Sequence, residues 1–388
     1  MLRRPGRAVL LPALLALTAA CAAAPPPRTA VLFRTGSIGP ETVRRHVEEL
    51  CALGPRHHSA PESQAAALDW LRLRLAGYGY EPVDEVFQAA TPRVEIRYSE
   101  DRTTDAGEPL PIGTSITTPF EPHVNLIAEK RGLVEPEVVI EVVAHYDTVP
   151  ATVGAIDNAS GVAALLEVAR VCADAPTERT LRFVFTAMEE HGLQGARAHV
   201  RLLQARAEAG TERLDAALVL DPVGVTNRAP DSQDSPVRIP FLFWPPSTGD
   251  FLGVFGNWGS SGVAGQVQQV AERYAPDLAT YTVKRLTGML DDGRRSDHAP
   301  YWDAGYQAVW LCDTFPLRAP GYHQPSDTPA LLDAKFCRDA ARVAAAWALE
   351  RAGLMAFPAG DALAEWPDAD APGDAAPGRS PAPRSVAR

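Results

Sequence analysis

The chain has 388 residues, 46% of them apolar, and carries a formal net charge of −11. Length and apolar content exclude an intrinsically disordered chain. An acidic balance without a long basic run in the folded part gives no electrostatic footprint for nucleic acid, which is not an expected partner.

The first 21 residues place Arg3, Arg4 and Arg7 ahead of an apolar run, Ala8 to Leu17, followed by small residues. This is the layout of a secretory signal peptide, and the run is shorter than the roughly 20 apolar residues a bilayer span needs. Cys21 follows "LTAA" in a pattern that resembles the lipobox of bacterial lipoproteins, with Thr18 where leucine is commoner. The expectation is an exported chain, either a cell-envelope lipoprotein anchored through Cys21 or a secreted or periplasmic protein after ordinary cleavage. Residues 22–35 read as a linker, 36–355 as a single folded domain, and 356–388 as a disordered tail, because the tail's Pro, Ala, Gly and Asp cannot repay the entropy of ordering. Beyond Cys21, only Cys51, Cys172, Cys312 and Cys337 remain, too few for a disulfide scaffold, and whether Cys312 and Cys337 pair is left open.

Within the domain, "ETVRRHVEELCAL" and "PESQAAALDWLRLRLAGYGY" carry apolar residues at helical spacing. Five apolar runs of strand length follow: "VNLIAEK", "VVIEVVAHYD", "RTLRFVFTAME", "AALVLDPVG" and "QAVWLCDT". They alternate with helical stretches at Gly161 to Ala173, Leu193 to Ala207, Val263 to Tyr274 and Ala330 to Arg351. The pattern predicts an α/β domain with a mixed, mainly parallel central sheet and helices on both faces.

Chemistry-bearing residues fall where those strands end: His145 and Asp147 after the second run, Glu189 and Glu190 after the third, Asp221 after the fourth. In open α/β sheets that edge is the ligand-binding edge. An H-x-D pair on a strand end points both side chains to one side, so the carboxylate can orient the imidazole as a metal ligand. In "GAIDNASG", Asp157 stands before a helix and can be read as an ordinary N-cap, while Gly154 and Gly161 suggest close backbone approach to something held in the loop. Adjacent Glu189 and Glu190 at the mouth of a buried strand repel one another unless a cation is present. His298 and His323 follow in the last segment. Carboxylates and imidazoles in this mixture suit zinc, and five or six candidate ligands exceed what one ion needs, which points to a pair.

The ordered set "AHYDTV", "GAIDNASG", "MEEHGLQGA", "LDPVG", "SDHAPYW" and "YHQPSDT" resembles the co-catalytic di-zinc aminopeptidase family. That family includes leucyl-type aminopeptidases, glutamate carboxypeptidases and, more distantly, glutaminyl cyclases. The similarity runs from "LGPR" at Leu53 to "YHQPSDTP". It implies a zinc-exopeptidase fold and two zinc ions, with His145 and Asp221 on one, Glu190 and His323 on the other, and Asp157 bridging. It implies Glu189 as general acid/base with a zinc-bridging hydroxide, Asp147 orienting His145, Tyr322 near the developing oxyanion, Asp297 and His298 in support, and a cis peptide at Asp157–Asn158. The implied activity is hydrolysis of amino-terminal peptide bonds, with a peptide as substrate.

Three rivals stand beside it. A related metal-dependent amidohydrolase, deacylase or carboxypeptidase would follow its bridging aspartate with x-Lys-Gly, where this chain has "NASG". A non-catalytic binding ectodomain would keep a costly acidic cluster without use. Resembling cyclases use one zinc. Phe241, Phe243 and Trp244 read as core residues, with pocket lining as the alternative. Side-chain preference and oligomeric state are not legible.

Overall fold

The computed structural model describes residues 28–104, 109–235, 237–238, 244–285, 287 and 291–355. The expected signal peptide, Cys21, the tail, Phe241 and Phe243 lie outside the described residues. Three helices open the domain: α1 (Arg28–Gly36), α2 (Pro40–Ala52) and α3 (Pro61–Gly77). The expected linker therefore overlaps a helix, because Val31 of α1 is apolar and fully buried against the core.

Strands β1 (Val83–Ala90), β2 (Arg93–Thr103), β3 (Pro109–Thr117), β4 (Phe120–Lys130) and β5 (Glu135–His145) come next. A six-residue π-helical turn (Ala155–Ser160) leads into α4 (Gly161–Cys172), followed by β6 (Arg179–Thr186), α5 (Gln194–Glu208) and β7 (Arg213–Leu220). The chain then forms β8 (Leu252–Gly256), α6 (Ser261–Tyr274), β9 (Thr280–Val283), α7 (His298–Asp303), β10 (Ala308–Cys312) and α8 (Ala334–Arg351).

Among the described residues the main sheet has eight strands in the order β1-β4-β6-β5-β7-β10-β8-β9, and β2 and β3 form a separate hairpin. The four central strands, β6, β5, β7 and β10, run parallel, while β1, β4 and β8 join antiparallel partners. The expected mixed, mainly parallel sheet and single domain are what the chain forms. All five predicted strands are present, and the helix predicted from Ala330 begins at Ala334, with Asp333 capping the Phe336 amide at 3.1 Å. Short or half-exposed strands escaped the apolar pattern. β1 alternates buried and exposed residues at one sheet edge, and β8 is the five-residue "LGVFG".

β5 shows why the sheet has a layer on each side. Its buried residues alternate, with Ile140, Val142 and Ala144 facing the core built by α2, α4, α6 and α8, and Val143 packing with residues of α5 and α7. A strand covered on both faces has no solvent side, so it reads as a continuous apolar run. Glu141 interrupts that run on the α5 side, where a charged network compensates it. His199 Nε2 lies 3.1 Å and Arg182 Nη1 3.0 Å from its Oε1, Tyr301 donates to its Oε2 at 2.8 Å, and Glu85 stands 2.9 Å from His199 Nδ1.

Cys51, Cys172, Cys312 and Cys337 are all buried and free, so Cys312 and Cys337 do not pair. Trp244 is 61% exposed, against the core expectation.

Candidate active site

Because the central strands are parallel, their C-terminal ends share one edge, and the predicted residues meet there. His145 ends β5, Asp221 follows β7, and Glu189 and Glu190 follow β6. His145 Nδ1 donates to the carbonyl of Asp147 at 3.2 Å, which orients the ring so that Nε2 faces the acidic side chains. Nε2 lies 3.1 Å from Asp221 Oδ1 and 3.3 Å from Asp157 Oδ1. The other oxygen of Asp157, Oδ2, lies 3.2 Å from His323 Nε2, which also stands 3.1 Å from Glu190 Oε2. Two triads, His145–Asp157–Asp221 and Asp157–Glu190–His323, thus share one carboxylate.

Asp147 does more than orient His145. Its carboxylate is 3.6 Å from His145 Nδ1, but its two oxygens accept the backbone amides of Glu189 (3.1 Å) and Glu190 (3.3 Å). It therefore orients the imidazole mainly through its carbonyl and fastens the acidic pair to the end of β5.

The peptide between Asp157 and Asn158 is cis, as the resemblance implies. Helix α4 is capped by Asn158, whose Oδ1 accepts the Gly161 amide at 3.0 Å, rather than by Asp157. Asn158 also donates from Nδ2 to the Leu220 carbonyl at 2.8 Å, tying the loop to the end of β7 one residue before Asp221. The glycines around this loop admit the chain's own backbone. A Cβ on Gly161 would stand 2.4 Å from the Leu220 carbonyl, and one on Gly154 2.3 Å from the Asp157 carbonyl.

Three side chains that hold these ligands were not singled out from the sequence, although two lie inside quoted motifs. Asp327, in "YHQPSDTP", accepts the Ile156 amide on Oδ1 (2.7 Å) and the Asp157 amide on Oδ2 (3.1 Å). Arg56, in "LGPR", is fully buried and donates to the carbonyls of Tyr146 (2.6 Å), Val153 (2.6 Å) and Gly154 (3.1 Å). Asp313 accepts the amides of Gly224 (2.7 Å) and Val225 (2.8 Å), fixing the turn after Asp221. Only Arg56, directly after Pro55, carried a local signal; Asp327 and Asp313 are flanked by neither Pro nor Gly.

His298 belongs to neither triad. Its Nε2 donates to the Gly293 carbonyl at 2.8 Å and its ring stacks on Trp310, so it supports the site's wall. Burial pushes its imidazole down to about 3. Asp297 accepts the Thr186 hydroxyl. Tyr322 stacks on the His323 ring at 3.8 Å, and its hydroxyl accepts from Arg295 Nη2 at 3.2 Å, leaving its own proton free to donate.

The donor set fits divalent zinc. Burial and the neighbouring Asp157 carboxylate push Glu190 up to about 7, and burial with the Asp221 and Glu190 carboxylates pushes Glu189 well above the usual carboxylate range. Glu190 Oε1 and His323 Nε2 are buried without a hydrogen-bond partner among the described residues. A buried acidic cluster of this kind is costly unless a cation neutralises it. A cavity opens directly onto Asp157, Glu189, Asp221 and Tyr322, and its far wall is apolar, with Phe251, Phe255, Tyr281, Val283, Trp310 and Leu317.

Comparison with known proteins agrees with this geometry. Residues 125–348 match the family described as Peptidase family M28. Over 289 residues the chain is 28% identical to the uncharacterized protein YfbL of Escherichia coli (strain K12), spanning 71% of this chain and 83% of that one. It is also 28% identical over 210 residues to aminopeptidase YwaD of Bacillus subtilis (strain 168), spanning 52% of this chain but 38% of that longer protein. The aminopeptidase from Aneurinibacillus sp. strain AM-1 superposes with a TM-score of 0.61 at 18% identity, over 86% of this chain and 98% of that one, and so shares the fold. With more than half of the sequence inside the family match and a zinc-type donor set assembled at one sheet edge, the chain belongs to peptidase family M28 and is a zinc metallopeptidase.

Proposed function

We propose that the chain is an exported aminopeptidase that removes amino-terminal residues from peptides, using two zinc ions. The observation that carries the two-ion reading is Asp157, whose two oxygens stand 3.3 and 3.2 Å from the Nε2 atoms of His145 and His323. His145 and Asp221 would hold one ion, Glu190 and His323 the other, and Asp157 both. Zinc bound there supplies Lewis acidity, lowering the pKa of a water to about 7 and polarising a carbonyl oxygen.

The chain's own groups do the rest. Glu189, buried in the wall of the cavity, takes the water's proton and returns it to the departing amine. Asp147 holds Glu189 and Glu190 in register by accepting both backbone amides. Tyr322 donates its hydroxyl proton to the developing oxyanion, a role its free proton and its place on the cavity wall support. The apolar wall suits a large apolar side chain on the first residue. Export rests on the signal-like first 21 residues, with Cys21 as the lipid anchor.

The test is a panel of leucyl-, phenylalanyl- and glutamyl-anilides with their N-acetylated counterparts, assayed after chelation and after zinc is restored. Cleavage of the free-amino leucyl and phenylalanyl substrates is expected, lost on chelation, recovered with zinc, and reduced roughly 10²–10⁴-fold by Glu189→Gln with zinc content unchanged. Cleavage of the acetylated substrates alone would replace the aminopeptidase reading with a deacylase one.

A further inference from the structure

A second group of metal-ligating side chains lies beside the site described above. His57 and His58, in the connection between α2 and α3, converge on His191, in the turn between β6 and α5 that also carries Glu189 and Glu190. The Nε2 atoms of His57 and His58 stand 3.2 and 2.9 Å from Nε2 of His191. One ring nitrogen from each of the three lies within 4.8 Å of the other two.

Hydrogen bonding accounts poorly for this arrangement. An imidazole nitrogen presents either one proton or one lone pair in the ring plane, so His191 Nε2 can make one linear hydrogen bond. It has two imidazole nitrogens at hydrogen-bond distance. Three lone pairs turned toward a common point remove this conflict at His191 Nε2 if a cation sits there, while His191 Nδ1 stays buried with no hydrogen-bond partner among the described residues. Imidazole nitrogens about 2.0–2.1 Å from a tetrahedral zinc are about 3.3 Å apart, so the observed spacings of 2.9 and 3.2 Å need shifts of only a few tenths of an ångström. For His57, Nδ1 accepts the Ser59 backbone amide at 3.1 Å with Ser59 Oγ 2.7 Å away, so metal binding through Nε2 moves a proton onto Nδ1, where Oγ can accept it in place of the amide contact.

We propose that His57, His58 and His191 form a third transition-metal site, distinct from the dinuclear one, which fastens the α2–α3 connection to the turn bearing Glu189 and Glu190. Three imidazoles without a carboxylate select zinc, nickel or copper over magnesium, calcium or manganese. His57 is buried while His58 and His191 are half-exposed, so a fourth position opens to solvent, as in three-ligand zinc sites. The site binds two stretches more than 130 residues apart. Arg56, beside His57, already anchors the first of them to the carbonyl of Tyr146, between His145 and Asp147.

The experiment is metal stoichiometry by elemental analysis after equilibrium dialysis against zinc, on the wild-type chain, His57→Gln, His58→Gln and Asp157→Ala. Cobalt substitution supplies a second readout, the visible absorption of a low-coordinate site, and circular dichroism checks that each variant is folded. Three zinc equivalents in the wild type, two in each histidine variant, and a residual equivalent in Asp157→Ala that adding His58→Gln removes are the expected result. Two equivalents in the wild type and in both histidine variants would overturn the third site and leave the dinuclear reading intact. One equivalent in the wild type that His58→Gln abolishes would keep the third site and overturn the dinuclear reading. Wild-type cobalt absorption that neither histidine variant alters also counts against the third site.

Discussion

Replacing Asp327 by asparagine tests whether the shared ligand is held from behind. Asp327 is fully buried and gives one oxygen to the Ile156 amide at 2.7 Å and the other to the Asp157 amide at 3.1 Å. Asparagine keeps a single acceptor, so in either orientation its NH₂ faces a backbone N–H. One hydrogen bond to a charged acceptor is lost, worth about 1.5–3 kcal/mol, and an amide is left buried without a partner. That loss displaces the backbone of the residue whose two oxygens serve both triads. Removing groups that orient metal ligands typically costs about 10–100-fold in metal affinity or activity, equivalent to roughly 1.4–2.7 kcal/mol, which matches the loss of one of the two bonds. Zinc affinity measured by competition with a chelating dye, and kcat and KM for leucyl-anilide in excess zinc, are the readouts. Zinc affinity or kcat should fall by about 10–100-fold while KM moves far less, and Asp327→Ala should fall further. Zinc affinity and kcat both within about twofold of wild type in the two variants would show that Asp157 keeps its place without Asp327, and the reasoning would be wrong.

Two further predictions concern stability. Burial opposes charge on His199, yet the carboxylates of Glu141 and Glu85 hold it up at about 9, and burial of Glu141 is overcome by His199 and Arg182, which hold it down at about 2. A raised imidazole contributes fully below its unfolded value of 6.5 and loses that contribution as pH rises through about 9; a lowered carboxyl contributes above 4.5 and loses it as pH falls through about 2. Urea midpoints should therefore drop between pH 7 and pH 10 in the wild type, and the drop should shrink in His199→Gln; an equal drop in both would remove the network as its cause. Gly161→Ala would put a methyl group 2.3 Å from Asn158 Oδ1 and 2.4 Å from the Leu220 carbonyl. Overpacking costs about 1–3 kcal/mol or more, so the metal-free melting temperature should fall by several degrees, and an unchanged melt would mean the loop and β7 yield to each other freely.

The catalytic edge was legible because each contributing strand is buried on both faces and so reads as a largely apolar run that stops at a polar residue. His145, Glu190, Asp221 and His323 fall where such runs or their motifs end, and the structure brings all four to Asp157. The helices covering the sheet were legible from their period. What escaped depends on contacts between distant residues: Asp327 reaches Ile156 across 171 positions, and Asn158 reaches Leu220 across 62. The Asp147 carboxylate was read as a partner of the histidine two residues away. Its stronger partners are amides 42 and 43 positions on, which no local spacing reveals. The meeting of His57, His58 and His191 is hidden for the same reason. β1 and β8, half-exposed or very short, lack the long apolar signature on which strand recognition relies.

The strand order divides labour within the molecule. Residues that would grip ions come largely from the ends of β5, β6 and β7, whereas the greasy wall opposite them is built mainly from β8, β9 and the front of β10. The marginal pair, β8 and β9, can accept new side chains, or a grafted segment, without re-registering the middle of the sheet. Appetite for different residues can thus drift or be redesigned at the periphery while the reactive heart is inherited unchanged.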